Sequence, residues 1–235
     1  MYKKNNDKFL REVPVDWASG LMSTHPVVFI TTVGRVKGKV VPGVAVIATC
    51  VDTSYQPPYV SFSTAVYQHL TGETKTDKRG HTNTYLNLCQ NRLFVVNLPG
   101  IELVEKMDIL AQPYPRKEYR DKIKVAGLTA IEPFCLGQHH SLYPSLIKEC
   151  LAHLECEVVD IHRPKGGDHY TVTGKVVSCS YVSSLGPSSD EIRLNLAERT
   201  FHHFGRNQEG NERFVLTGKS LYVKTNLRFH LEKTR

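Results

Sequence analysis

Val27-Val28-Phe29-Ile30-Thr31-Thr32-Val33 opens the stretch between Pro26 and Pro99 that decides the fold, and it reads as a buried strand. Residues 34–39 form a turn rich in glycine and basic residues, and 40–51 read as a second strand, so the two make an antiparallel hairpin. Pro57-Pro58 ends the next connection, and Tyr59-Val60-Ser61-Phe62-Ser63 alternates as a third strand. Leu93-Phe94-Val95-Val96-Asn97-Leu98 is a fourth strand, stopped by Pro99-Gly100. Between the third and fourth lies a polar loop with Lys75, Lys78 and Arg79 among threonines and glycines, then a short helix predicted over 83–91. So many hydroxyls and amides beside apolar strands exceed what stability alone requires. A phosphate-bearing cofactor requires such a cluster, and no glycine-rich loop competes for the role.

Working outward, 101–111 shows helical spacing, and 112–150 holds several prolines with a helix predicted near 117–125. Ala152, Leu154, Cys156 and Val158 alternate with His153, Glu155, Glu157 and Val159, as in a half-buried strand. Arg163-Pro164-Lys165-Gly166-Gly167 is a turn, and 170–182 returns as its antiparallel partner in a second hairpin. A helix over 189–204 and a strand over 220–224 follow. Hairpins without regular strand–helix alternation argue for a mainly β, mostly antiparallel barrel with peripheral helices, not a doubly wound parallel sheet.

The chain has 235 residues, 40% of them hydrophobic and 23% charged, which suits an ordinary globular protein with a sizeable core. No apolar run approaches the roughly 20 residues that cross a bilayer. The N-terminus lacks a signal peptide's apolar core, so a cytoplasmic protein is expected. Six cysteines without C-x-x-C spacing argue against a zinc ribbon or a thioredoxin-type pair. The net charge of +7 sits in the ends: residues 1–11 carry +3 and 219–235 carry +4. Basic ends of this kind favour solubility over a nucleic-acid footprint, which needs a basic face. Adjacent histidines, His139-His140 and His202-His203, point apart on a strand or a helix, so no metal site is expected.

No G-x-S-x-G, P-loop, H-E-x-x-H or G-x-G-x-x-G motif is present. A phosphate would need converging donors near a cation or a helix N-terminus. The candidates are Thr49, Ser61, Ser63, Thr82, Thr84 and Asn87, with Lys75, Lys78 or Arg79 nearby. Thr82-Asn83-Thr84 sits where a helix begins, so its hydroxyls and N–H groups could face one anion. The plainer reading is that one of the three caps the helix, and the residues alone leave both open.

The succession Pro26-x-x-x-x-Thr31-Thr32-Val33, Gly43-Val44-Ala45-Val46-Ile47-Ala48-Thr49-Cys50, Pro57-Pro58-Tyr59-Val60-Ser61-Phe62-Ser63, Thr84-x-x-Asn87-Leu88 and Phe94-Val95-Val96-Asn97-Leu98 resembles the flavin reductase-like, FMN-binding split-barrel family. The likeness extends to Leu154-Glu155-Cys156-Glu157-Val158, Gly167-Asp168-His169 and Gly174-Lys175-Val176, and covers roughly residues 26–180. It implies a six-stranded antiparallel split β-barrel over 26–182, with an N-terminal arm (1–25) and a C-terminal extension (183–235) packing on the barrel or on a partner. It also implies a homodimer with bound FMN near the subunit interface, NADH or NADPH as hydride donor, and a small-molecule electron acceptor or a partner redox protein.

By the same resemblance Val46, Ile47, Ala48, Thr49 and Cys50 would lie along the isoalloxazine, with Ser61, Phe62, Ser63 and Thr64 continuing the wall. Thr84 and Asn87 would help bind the ribityl phosphate beside Thr82 and Asn83, with Lys75 or Arg79 as charge partner. His169 would sit by the nicotinamide and flavin rings. Cys50 is read as a contact to the ring or as an inert buried thiol. The chain departs from the family pattern in its long basic loop over 64–84, in Asn83 where Asp or Ser is usual, and in the segment beyond 182. The expected activity is hydride transfer from NAD(P)H to flavin; the alternatives are a non-catalytic flavin-binding electron carrier and, further off, a nucleic-acid-binding barrel.

Overall fold

The structure is a computed structural model, and it describes residues 25–66, 80–112, 120–206, 212–216 and 219–224. Its strands are β1 (His25–Pro26), β2 (Val28–Val36), β3 (Lys39–Ile47), β4 (Val51–Tyr55), β5 (Pro58–Ala65), β6 (Leu93–Leu98), β7 (Ala130–Ile131), β8 (Leu146–Ile147), β9 (Ala152–His162), β10 (His169–Tyr181), β11 (Phe201–Arg206), β12 (Glu212–Leu216) and β13 (Lys219–Lys224). The helices are α1 (Asn83–Asn91), α2 (Met107–Ala111), α3 (Lys122–Val125), α4 (Leu136–His139) and α5 (Ser189–Arg199). The expected N-terminal arm falls outside the described residues apart from His25, as do Lys75, Arg79 and the first part of the helix predicted near 117–125.

Seven strands form one antiparallel sheet in the order β3-β2-β6-β9-β10-β5-β4. Its two edge strands, β3 and β4, are consecutive in the chain and joined only by Ala48, Thr49 and Cys50. Laid flat, six inter-strand spacings would put those edges about 29 Å apart. The four peptide steps from Ile47 to Val51 reach at most about 14 Å. The sheet must therefore roll up, and β3 lies alongside β5. Because β3 and β4 share no ladder, the barrel is split along that line. Pro42, which has no N–H to donate, is accommodated because β3 pairs on one side only.

This corrects two expectations. The single strand expected over 40–51 is two strands with a break at 48–50, and the sheet has seven strands where six were expected. The break was hidden because Ala48-Thr49-Cys50 has ordinary strand composition.

Period-2 alternation sorts the side chains. Val28, Ile30, Val60, Phe62, Phe94, Val96, Cys156, Val158 and Val172 fill the barrel interior, and Leu88 of α1 plugs it. Phe29, Val44, Leu103, Met107, Leu110, Ile123 and Phe201 form a second core on the outside, where 101–111 and α3 cover β2 and β3. Leu136 and Leu146 cover Leu93 and Val95 in a third.

The half-buried reading of β9 holds only for its second half. His153 and Glu155, expected on a solvent face, are buried beneath the 130–147 segment. Glu155 accepts hydrogen bonds from the main-chain N–H groups of Phe134, Cys135 and Leu136 at 2.8–2.9 Å. His153 Nε2 faces the Ile147 carbonyl at 2.9 Å, so that nitrogen carries the proton. Burial holds the His153 pKa below its ordinary value. Asn97 completes the attachment: Nδ2 donates to the Phe29 carbonyl and Oδ1 accepts from Ile147 N.

Beyond the barrel, α5 opens with a capping box between Ser188 and Glu191. It ends at Arg199, short of the expected 204, because Thr200 turns extended and Phe201 begins β11. β11, β12 and β13 join β1 in a four-stranded antiparallel sheet, so this segment contributes three strands where one was expected. Among the described residues no helix is long and apolar enough to cross a membrane.

Candidate functional site

The seam between β3 and β5 is where the predicted cofactor wall lies. β3 pairs only with β2, so alternate N–H and C=O groups of β3 point away from the ladder toward the seam. Ala48, Thr49 and Cys50 belong to no ladder at all. Thr49 is exposed, and its Oγ1 accepts a hydrogen bond from Ser63 N at 3.0 Å, tying the bend to β5 across the seam.

Strand alternation divides the predicted residues into two sets. Val60 and Phe62 point into the barrel, so Ser61 and Ser63 face outward. Opposite them on β10 stand Thr173 and Thr171, and one step further His169 stands opposite Ala65. Ser61 Oγ shares hydrogen bonds with Thr173 Oγ1 at 2.9 Å and Thr53 Oγ1 at 3.3 Å. Thr49, Ser63 and His169 thus border one outer surface, with Ser61 on the same side of the sheet but buried beneath it. Cys50, Phe62, Thr64, Thr84 and Asn87 are buried, with Ile47 packed against the interior core. Val46 and Ala48 pack instead against the outer core under 101–111.

At the barrel's end, α1 forms over the predicted span. Thr82 is its N-cap, accepting from Tyr85 N at 3.1 Å, and its hydroxyl also bonds Thr64 Oγ1 at 2.8 Å. The capping role left open by the sequence is the one Thr82 has. Thr84, Asn87 and Leu88 form the inward face of α1. Asn87 Nδ2 donates to Thr32 Oγ1 at 3.1 Å and to the Val41 carbonyl at 3.4 Å. Both amide protons are thereby committed inside the barrel. A Cβ at Gly43 would come within 3.0 Å of Asn87 Nδ2 and Thr32 Oγ1, so the glycine makes room for this contact. Replacing Asn87 by Ala should cost about 1–3 kcal/mol of stability by leaving buried partners unmatched. Thermal unfolding checks this; an unchanged Tm would show the staple to be idle.

His169 is exposed at the start of β10, and its Nδ1 donates to Asp168 Oδ1 at 2.8 Å. That bond holds the Asp168 carboxyl below its ordinary pKa. It also orients the imidazole through Nδ1 and leaves Nε2 without a partner among the described residues. Burial, with Asp52 adding to it, pushes the Cys50 thiol up to about 12, so it stays neutral.

One cluster was missed by the sequence reading. Tyr85 of α1 stacks on Tyr170 of β10 with centroids 4.0 Å apart and an interplanar angle of 21°. His81 packs on Tyr85 at 4.7 Å, and its Nε2 lies 3.3 Å from Tyr170 Oη. Arg163 lies over the Tyr170 ring, 5.7 Å from its centroid. Tyr170 immediately follows His169, a sequence cue, but its partner Tyr85 is brought in only by the fold.

A split antiparallel barrel with an open seam, a helix plugging one end and a polar outer surface defines the class. The chain belongs to the flavin reductase like domain family, whose model matches residues 21–205. It is similar to nitrilotriacetate monooxygenase component B from Bacillus cereus, at 18% identity over 98% of both chains with a TM-score of 0.62. A Shewanella frigidimarina protein with a split barrel domain is similar at 12% identity over 91% of this chain and 90% of that one, TM-score 0.59. The NADH:FAD oxidoreductase SgcE6 of Streptomyces globisporus, solved with NAD and FAD fragments, is similar at 17% identity over 72% of this chain and 82% of that one, TM-score 0.52. At such identities these likenesses speak to the fold.

Proposed function

We propose that this protein binds FMN along the seam and transfers a hydride to it from NADH or NADPH. The observation that carries this reading is the seam: an edge strand and a bend with main-chain groups outside any ladder, set against hydroxyl-bearing β5, in a chain of the flavin reductase like family. A flavin's pyrimidine edge presents donors and acceptors in alternation, and the main chain of Val46–Cys50 offers both. The residues present therefore fit the group.

Bound flavin supplies the hydride acceptor, its N5 atom, so the protein need not provide a nucleophile or an acid. The chain's part is to hold and to orient. Thr49 and Ser63 stand on the outer side of the seam, and Ser61 lies buried behind them, its hydroxyl bonded to Thr173 and Thr53. The α1 N-terminus beside Asn83 and Thr84 carries no acidic residue in its first turn, which suits an anion. Lys75 or Arg79, both outside the described residues, is the phosphate's charge partner in this reading. His169, oriented by Asp168, places the nicotinamide so that the reacting atoms approach to about 3–3.5 Å. A homodimer, a cytoplasmic location and a small-molecule or protein electron acceptor belong to the same proposal.

Anaerobic addition of NADH or NADPH to the FMN-loaded protein tests it: the flavin band should bleach, and a persistent band would exclude hydride transfer. His169→Ala should slow bleaching about tenfold, as expected for lost positioning, while leaving FMN affinity unchanged. An unaltered rate would make His169 a bystander.

A further inference from the structure

We propose that the turn between β9 and β10 binds a phosphate group of the pyridine-nucleotide donor, with Arg163 and Lys165 as its ligands. The proposal rests on the hydride-transfer reading and specifies how the donor is held.

Arg163 is oriented before any ligand arrives. Its Nε donates to the Gly167 carbonyl at 2.8 Å, closing the turn on itself. Its guanidinium lies over Tyr170, and Tyr170 is fixed in turn by the stack on Tyr85 and the hydrogen bond with His81. One edge of the guanidinium is thus anchored, while its Nη groups donate to no protein group among the described residues. Two residues further on, Lys165 is exposed and in no ion pair among the described residues. The acid whose charge Arg163 reaches is Asp168, and that carboxylate is held by His169 Nδ1 at 2.8 Å. Gly166, at φ +78°, takes the left-handed conformation that lets the turn close with no side chain at its tip.

A guanidinium already immobilised loses little freedom when an anion docks, and its planar fork matches phosphate oxygens. The Nη donors of Arg163 thus remain available, two residues from a second cation, in the turn that leads directly into Asp168-His169. The nucleotide that delivers hydride past His169 would carry its phosphates over this turn.

The test uses the full-length FMN-loaded protein and its Arg163→Gln and Lys165→Gln variants, both changes being in a solvent-facing turn. KM for NADPH and NADH is measured, and calorimetry gives the affinities of 2′,5′-ADP and ADP, a readout independent of turnover. Arg163→Gln should raise the NADPH KM about tenfold or more, as for loss of hydrogen bonds to a charged group, with kcat little changed. Weakened 2′,5′-ADP binding with NADH unaffected identifies the 2′-phosphate; weakened binding of both probes and a raised KM for both donors identifies the pyrophosphate. Unchanged KM values and affinities in both variants, with Tm unchanged, would overturn the proposal. A wild-type protein that oxidises neither donor would defeat the hydride reading instead, and the calorimetric arm would still decide the phosphate site.

Discussion

Gly174→Ala should destabilise the barrel by about 3 kcal/mol, the upper part of the range for overpacking a tight core. At this chain length that corresponds to a fall in Tm of about 6–12 °C. Gly174 lies on β10 between Val60 of β5 and Val158 of β9. A Cβ built there would run into the Phe94 ring and come within 3.3 Å of Cys156 Cβ. Phe94 cannot retreat: it is fully buried and packs edge-to-face on Phe62, with centroids 5.2 Å apart. The glycine is therefore a packing requirement. Its φ is ordinary, so backbone conformation does not explain it. Phe94→Leu, which shortens the obstructing ring, should recover part of the loss when combined with Gly174→Ala. That non-additivity is the signature of direct contact. A Gly174→Ala protein melting at the wild-type temperature would contradict the packing of the interior.

Glu155→Gln should cost about 3 kcal/mol, and Glu155→Ala at least as much, because three main-chain donors converge on one buried carboxylate. A glutamine offers one acceptor oxygen and turns an NH2 group toward a main-chain N–H that already donates. The loss should be local at first. Residues 134–136 lead into α4, which carries Leu136 over Leu93 and Val95. Hydrogen exchange at the amides of Phe134, Cys135 and Leu136 should therefore accelerate before that of the barrel strands. Equal protection in the glutamine variant would show that the carboxylate does not hold this segment.

These two positions also show what the sequence makes legible. β2, β6 and α1 could be read locally because their composition and their boundaries agree: Pro26, Pro99-Gly100 and Thr82 stand where the elements start or stop. His153 and Glu155 could not. Their polarity suggested solvent, and only a segment folding back over β9 reveals that main-chain partners replace water there. The break at Ala48–Cys50 separates the two unpaired edges of the rolled, split sheet, a global arrangement that no local pattern encodes. The family motifs grouped 46–50, 61–64 and His169 around one ligand; in the structure Ser61, Ser63 and His169 share one face of the sheet, while strand alternation sends Phe62 and Thr64 to the other. Asn87 matches the family's motif in sequence while its donors serve Thr32 and Val41. The stack of Tyr85 on Tyr170 joins residues far apart in the chain and could not be foreseen from either.

Titration of the purified protein with FMN, followed by visible absorbance and by quenching of flavin fluorescence, addresses the central claim most directly. Saturable binding of one FMN per chain, with a perturbed flavin spectrum, is the predicted result. A protein that leaves both FMN and FAD free in solution at every concentration tried would contradict the assignment of the β3–β5 seam as a flavin site.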